Sequence, residues 1–217
     1  MKIRMLIKSH ERDNRLAELG LESKHLTAAV IAGETARDNC SLLHPKMFGG
    51  YSAFAERVKV LRENLIPQGW RSETINGLEL VTNDKLAISL AVCTGAITTG
   101  LESEPLLSKY PKGLATKKAV SQNQLSFDEK ILTLHETAKS VEEFTTWYLM
   151  VHREEDVVRY ELCLPIGFDD ENRISEVKER IIFDEINLSK ATTPTTKRSS
   201  SGSDDAEEIV VEVSRKT

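Results

Sequence analysis

The sequence predicts an α+β fold: an antiparallel sheet in two meander-like groups of strands, packed with three to four helices and followed by a disordered C-terminal tail. Apolar residues recur at helical spacing between Leu26 and Leu65. After Gly69 the period drops to two, and Asn76-Gly77 separates two of the alternating runs. From Ser189 the composition shifts to serine, threonine, proline, lysine and acid, too polar to offset the entropy of ordering. These boundaries put one domain at residues 1–188 and a tail at 189–217.

Residues Ile3 to Ile7 read as a short strand. Leu26, Ala29, Val30, Gly33, Ala36, Arg37 and Cys40 share one helix face, with Ser23 as the expected N-cap. Residues 41–50 form a loop around Pro45 and Gly49-Gly50. A second helical stripe follows at Tyr51, Phe54, Val58, Leu61 and Leu65. Pro67 ends it, because proline lacks the amide proton and disfavours helix in the preceding residue.

Trp70–Ile75, Leu78–Thr82 and Leu86–Cys93 make the first meander. Asn76 and Gly77 tolerate the positive φ of a type I′ turn, and Asn83-Asp84 marks the next reversal. Leu86, Ile88, Leu90 and Val92 share one strand face. Ala87, Ser89, Ala91 and Cys93 share the other, and these small side chains leave room for a closely packed element. Residues 94–113 lack periodicity, and loops of this length inside a compact domain are often functional.

Helical character resumes over 115–122. Ser126-Phe127-Asp128-Glu129 matches a capping box opening a helix that Ile131, Leu134, Ala138 and Val141 continue. The second group of strands comprises Thr145–His152, a turn at 154–156, and Val157–Ile166. After a polar turn at 167–173, the segment from Ile174 fits helix or strand. The β-branched pair Ile181-Ile182 favours strand.

The 34 acidic and 29 basic side chains give a net charge of −5, which argues against broad, non-specific coating of nucleic acid. Three widely spaced cysteines, Cys40, Cys93 and Cys163, read as reduced thiols rather than a disulfide framework. With no apolar run of signal-peptide or membrane-spanning length, a cytoplasmic location is expected.

Several strings bear on chemistry. Asp169 or Asp170 with Glu176 and Lys178 matches the acid and Glu-x-Lys order of a metal-dependent nuclease. A hairpin there would separate the carboxylates by on the order of 10 Å, too far to share an ion. Gly95 to Gly100 imitates a phosphate loop, but Leu101-Glu102 stands where Lys-Ser or Lys-Thr is required. Lys109, Lys112, Lys117 and Lys118 surround Gly113 and an expected helix start, where free amides favour anions, so phosphate or nucleic-acid contact is assigned to them. Solvated surface is the competing reading.

Leu16 to Leu26 also suits a helix-turn-helix, with Ser23, Lys24, His25 and Thr27 facing a groove; an ordinary packed hairpin needs the same pattern. The five histidines are scattered, Cys40 and His44 lack two further ligands, and no Gly-x-Ser-x-Gly elbow is present. In the tail, Ile209, Val210, Val211 and Val213 form an apolar island behind Asp204, Asp205, Glu207 and Glu208, suited to docking on a partner's sheet edge. The run resembles SUMO-interacting motifs, a resemblance confined to these residues.

The expectation is therefore a non-enzymatic binding or regulatory protein with a protein partner and nucleic acid as a further candidate, without cofactor, metal or membrane. The alternative is a nucleic-acid-processing accessory protein or a divalent-metal-dependent nuclease.

Overall fold

The computed structural model describes residues 3–129 and 144–191 of the chain. Its elements run β1 (Arg4–Leu6), α1 (Ser9–Glu18), α2 (Ser23–Asp38), α3 (Phe48–Leu65), β2 (Arg71–Ile75), β3 (Leu78–Asn83), β4 (Ile88–Thr94) and α4 (Leu114–Glu129). They continue with β5 (Thr145–Glu154), β6 (Val157–Phe168), β7 (Ile174–Ile182), β8 (Ile186–Asn187) and the single turn α5 (Leu188–Ala191). The expected tail beyond residue 191, with Ile209, Val210, Val211 and Val213, lies outside the described residues. So do Ile131, Leu134, Ala138 and Val141. No described helix is long and apolar enough to cross a membrane.

The α+β class holds, but the sheet is mixed rather than antiparallel. Its order is β1-β7-β6-β5-β4-β3-β2, with β8 paired to β6. The two meanders, β2–β3–β4 and β5–β6–β7, are each antiparallel. They merge through a parallel pair, β4 with β5, and β1 adds parallel to β7. The reason is the connection: a parallel neighbour needs a crossover of a dozen or more residues, and the stretch between β4 and β5 carries α4 across the sheet. The local hairpin patterns of the two meanders carry no signal for that junction.

Both faces of the sheet are covered. On one, Leu16 of α1, Leu26 and Val30 of α2, and Leu61 and Leu65 of α3 pack against Leu90, Trp147, Leu149, Leu162 and Ile181. On the other, Leu106 and Val120 meet Ala91, Cys93, Tyr148, Met150 and Cys163. The small-residue face of β4 does receive a close neighbour. Asn76 and Gly77 adopt φ of 50° and 80°, as a type I′ turn requires.

Two capping expectations are corrected. Ser23 is the first residue of α2 rather than its cap, and its hydroxyl donates to Asp13 of α1 at 2.7 Å. That bond fastens the α1–α2 turn instead of satisfying an end amide. Ser126 lies inside α4, so the helix begun at Leu114 runs through the apparent capping box. No proline or C-cap glycine precedes Ser126 to stop it.

Candidate functional site

The β2–β3 hairpin and α4 bound a concavity among the described residues. Strand alternation sends Arg71, Glu73 and Ile75 of β2 to one face. Leu78 and Leu80 of β3 continue that floor, and Ser89 and Thr146 close it on β4 and β5. The wall is one helical stripe, Ala115, Lys118, Ala119 and Gln122, beside the buried stripe Thr116, Val120 and Asn123 that holds α4 to the sheet. The enclosed part has a volume of ≈ 330 Å³. Past the hairpin turn it opens into a cleft of ≈ 560 Å³ against Gly113 and Leu114.

One border of this groove is a strand whose outer edge has no partner among the described residues. Among the described residues β2 ends the sheet and bonds only to β3. The two-residue turn makes Ile75 and Leu78 a hydrogen-bonded pair, so antiparallel alternation turns the amides and carbonyls of Ser72 and Thr74 outward. On the opposite face the edge is braced: Arg62 of α3 donates to Glu79 at 2.6 Å, and Thr74 donates to the same carboxylate at 2.9 Å. These bonds hold the Glu79 carboxyl below its ordinary range.

Asn123 fixes the wall. Its amide donates to the carbonyls of Thr146 (2.9 Å) and Pro165 (2.8 Å), and its oxygen accepts from the Thr146 amide at 2.7 Å. A side chain thus completes the backbone bonding where β5 begins. Nothing in the sequence distinguishes this asparagine from a solvated helix residue, because its partners lie 23 and 42 positions away.

The four predicted lysines occupy different settings. Only Lys118 lines the groove. Lys117 lies beside it on α4, half-buried. Lys112 turns inward to the Cys93 thiol, with its amide bonded to the Asn172 carbonyl at 2.8 Å. Lys109 sits over the Tyr110 ring, 5.5 Å from its centroid.

The other strings are occupied by the fold. The Gly100 amide donates to Glu161 at 2.8 Å, so a carboxylate fills the loop that imitates a phosphate site. Arg180 bonds Glu161 and the carbonyls of Leu101 and Glu104, which pins the long irregular segment to β6 and β7. Asp169 accepts the amides of Glu171 and Arg173 and the Arg173 side chain, and the amide bond from Arg173 leads in lowering its pKa. Glu176 stands on the facing strand, paired with Gly167. No group of three or more metal-ligating side chains occurs among the described residues.

In the helix-turn-helix segment, His25 is buried, Ser23 bonds Asp13 and Thr27 meets the Tyr160 hydroxyl at 2.8 Å. Lys24 alone projects, paired with Glu22. The α1–α2 hairpin is therefore a packing unit. Comparison with family models, curated proteins and solved structures finds no match to this chain.

Proposed function

We propose that this chain is a non-enzymatic binding protein, and that the groove between the β2–β3 hairpin and α4 receives an extended polypeptide segment by strand addition. The observation that carries this is the coincidence of an open edge strand with a groove beside it. The outward amides and carbonyls of Ser72 and Thr74 supply sequence-independent bonds. On the groove face, Arg71, Glu73 and Ile75 of β2, backed by Leu78 and Leu80 of β3, then meet alternate side chains, while Lys118 on the wall favours an acidic neighbour.

Ser72→Pro tests the reading. Its amide points off the sheet, so proline removes a donor without cutting the β2–β3 ladder, as at natural strand edges. The probes are fluorescent heptapeptides alternating valine with glutamate, serine or lysine. Glutamate peptides should bind most tightly, and Ser72→Pro should weaken them at least tenfold with the thermal midpoint nearly unchanged. Equal binding by the variant would remove strand addition. Preference for a single-stranded oligonucleotide over every peptide would replace the protein partner with nucleic acid.

A further inference from the structure

We infer that the occupant of this groove is the chain's own C-terminal run, Ile209 to Val213, added in cis to the open edge of β2. The inference rests on the strand-addition reading above and names the ligand for it. Four observations support it.

The first is fit. The run has five residues, as β2 does. In extended form Ile209, Val211 and Val213 fall on one side, with Val210 and Glu212 on the other. Three side chains on the groove face then lie beside Arg71, Glu73 and Ile75 of β2, with Leu78 and Leu80 of β3 one strand further in. β-Branched residues lose little rotamer freedom on entering a strand, which favours this segment over a flexible one.

The second is charge. Asp204, Asp205, Glu207 and Glu208 precede the run. On the groove side, Arg71 is already held by Glu73 at 2.9 Å and Asp84 at 3.0 Å. The remaining cation lining the groove is Lys118, exposed on its wall. Acids leading into the groove along α4 would meet this ammonium group.

The third is reach. The described chain ends at α5, where the Leu188 amide donates to the Asp156 carbonyl at the β5–β6 turn. Four strand spacings separate β6 from β2 and a fifth separates β2 from the added strand, roughly 24 Å in all at 4.7–4.9 Å each. The connector 192–208 extends to at most roughly 60 Å and has a root-mean-square span of about 20–25 Å as a flexible chain. A span so close to the distance required gives a high effective concentration, which favours the same chain over a second copy.

The fourth is the edge itself. An open strand beside apolar Ile75 and Leu78 is a template for intermolecular pairing, and a tethered strand is one way to cover it.

Hydrogen exchange on the full chain, followed at several protein concentrations, tests this. Amides 209–213 should exchange at least tenfold more slowly than those of 192–203, independently of concentration. Val211→Asp should abolish that protection and speed exchange at Ser72 and Thr74. Lys118→Glu should weaken it, and Glu207→Lys with Glu208→Lys should restore it in that background. A synthetic peptide of residues 204–213, added to the Val211→Asp chain, should return protection to Ser72 and Thr74.

Protection that rises with concentration would assign the run to a second copy and overturn the cis contact. Free exchange of 209–213 in the parent chain, with peptide still protecting Ser72 and Thr74, would overturn it while leaving the groove a strand-addition site. If the peptide protects nothing, both readings fall.

Discussion

Glu34 is enclosed by three guanidinium groups: Arg57 bonds one oxygen, and Arg37 and Arg153 each approach the other at 3.2 Å. Both Glu34 and Arg57 are buried, at the point where α2 and α3 pack so closely that a Cβ on Gly33 would lie 2.8 Å from the Ala53 carbonyl. Burial penalises the Arg57 charge and pulls its pKa down, which the Glu34 carboxylate opposes. Glu34→Gln leaves that cation uncompensated and should cost about 3–5 kcal/mol in urea unfolding. Glu18→Gln, at an exposed pair with Arg15, should cost about 0–1 kcal/mol. Equal costs would mean that the buried cluster behaves as surface. The sequence shows Gly33 within an apolar stripe, and Glu34 lies four residues past Val30 on nearly the same face. Polarity hides it, because periodicity places apolar side chains and is silent on buried ions whose partners are distant. The thiols follow burial too: it pushes Cys93 and Cys163 upward, the latter the more strongly. Iodoacetamide at pH 8 should therefore modify one thiol of the native chain, the half-buried Cys40, and all three after denaturation. Rapid modification of a second native thiol would contradict the burial of β4 or β6.

At the scale of elements, legibility tracks how local the determining contacts are. The hairpin β2–β3 is written in two turn residues and alternating runs, and α3 in one apolar stripe whose Val58, Leu61 and Leu65 are buried. Leu61→Ala and Ile88→Ala should accordingly cost about 2–5 kcal/mol each, read from denaturant midpoints. Costs under about 0.5 kcal/mol at both would place them on the surface. α1 is illegible by the same criterion. Its buried residues are Leu16 and Arg12, and Arg12 reaches the Ile182 carbonyl and Asp184 while lying over Phe183. A helix held by arginines leaves no apolar stripe to read. The groove is half legible: its floor follows from strand alternation, but its wall depends on Asn123. Asn123→Ala strands the amide and carbonyl of Thr146, at about 1–3 kcal/mol for each group left unpaired. Exchange should then accelerate at Thr146 before the centre of β5. Uniform acceleration along β5 would instead indicate global destabilisation.

Across the whole molecule, Arg–carboxylate pairs join the layers: Arg15 to Glu179 links α1 with β7, Arg153 to Glu34 links β5 with α2, and Arg62 to Glu79 links α3 with β3. This pattern sets the direction of the acid response. The Arg62 hydrogen bond leads in holding Glu79 below its ordinary range, and the Arg173 amide does the same for Asp169. A carboxylate whose pKa is depressed by folding binds fewer protons in the native state than in the unfolded one. Its contribution is complete above the unfolded value, about 3.9–4.3, and is lost as pH falls through the folded value. His152 acts in the same direction at higher pH. Burial holds it below its ordinary range, so the fold favours the neutral ring and loses that preference as pH falls from about 6.5. Urea midpoints should therefore be level from pH 8 to 7, decline gently towards pH 5, and fall steeply below pH 4.5. His152→Gln should flatten the first decline and Arg62→Met should reduce the second, because Glu79 then titrates nearer its unfolded value. A midpoint independent of pH between 7 and 3 would show that these pairs do not couple the layers.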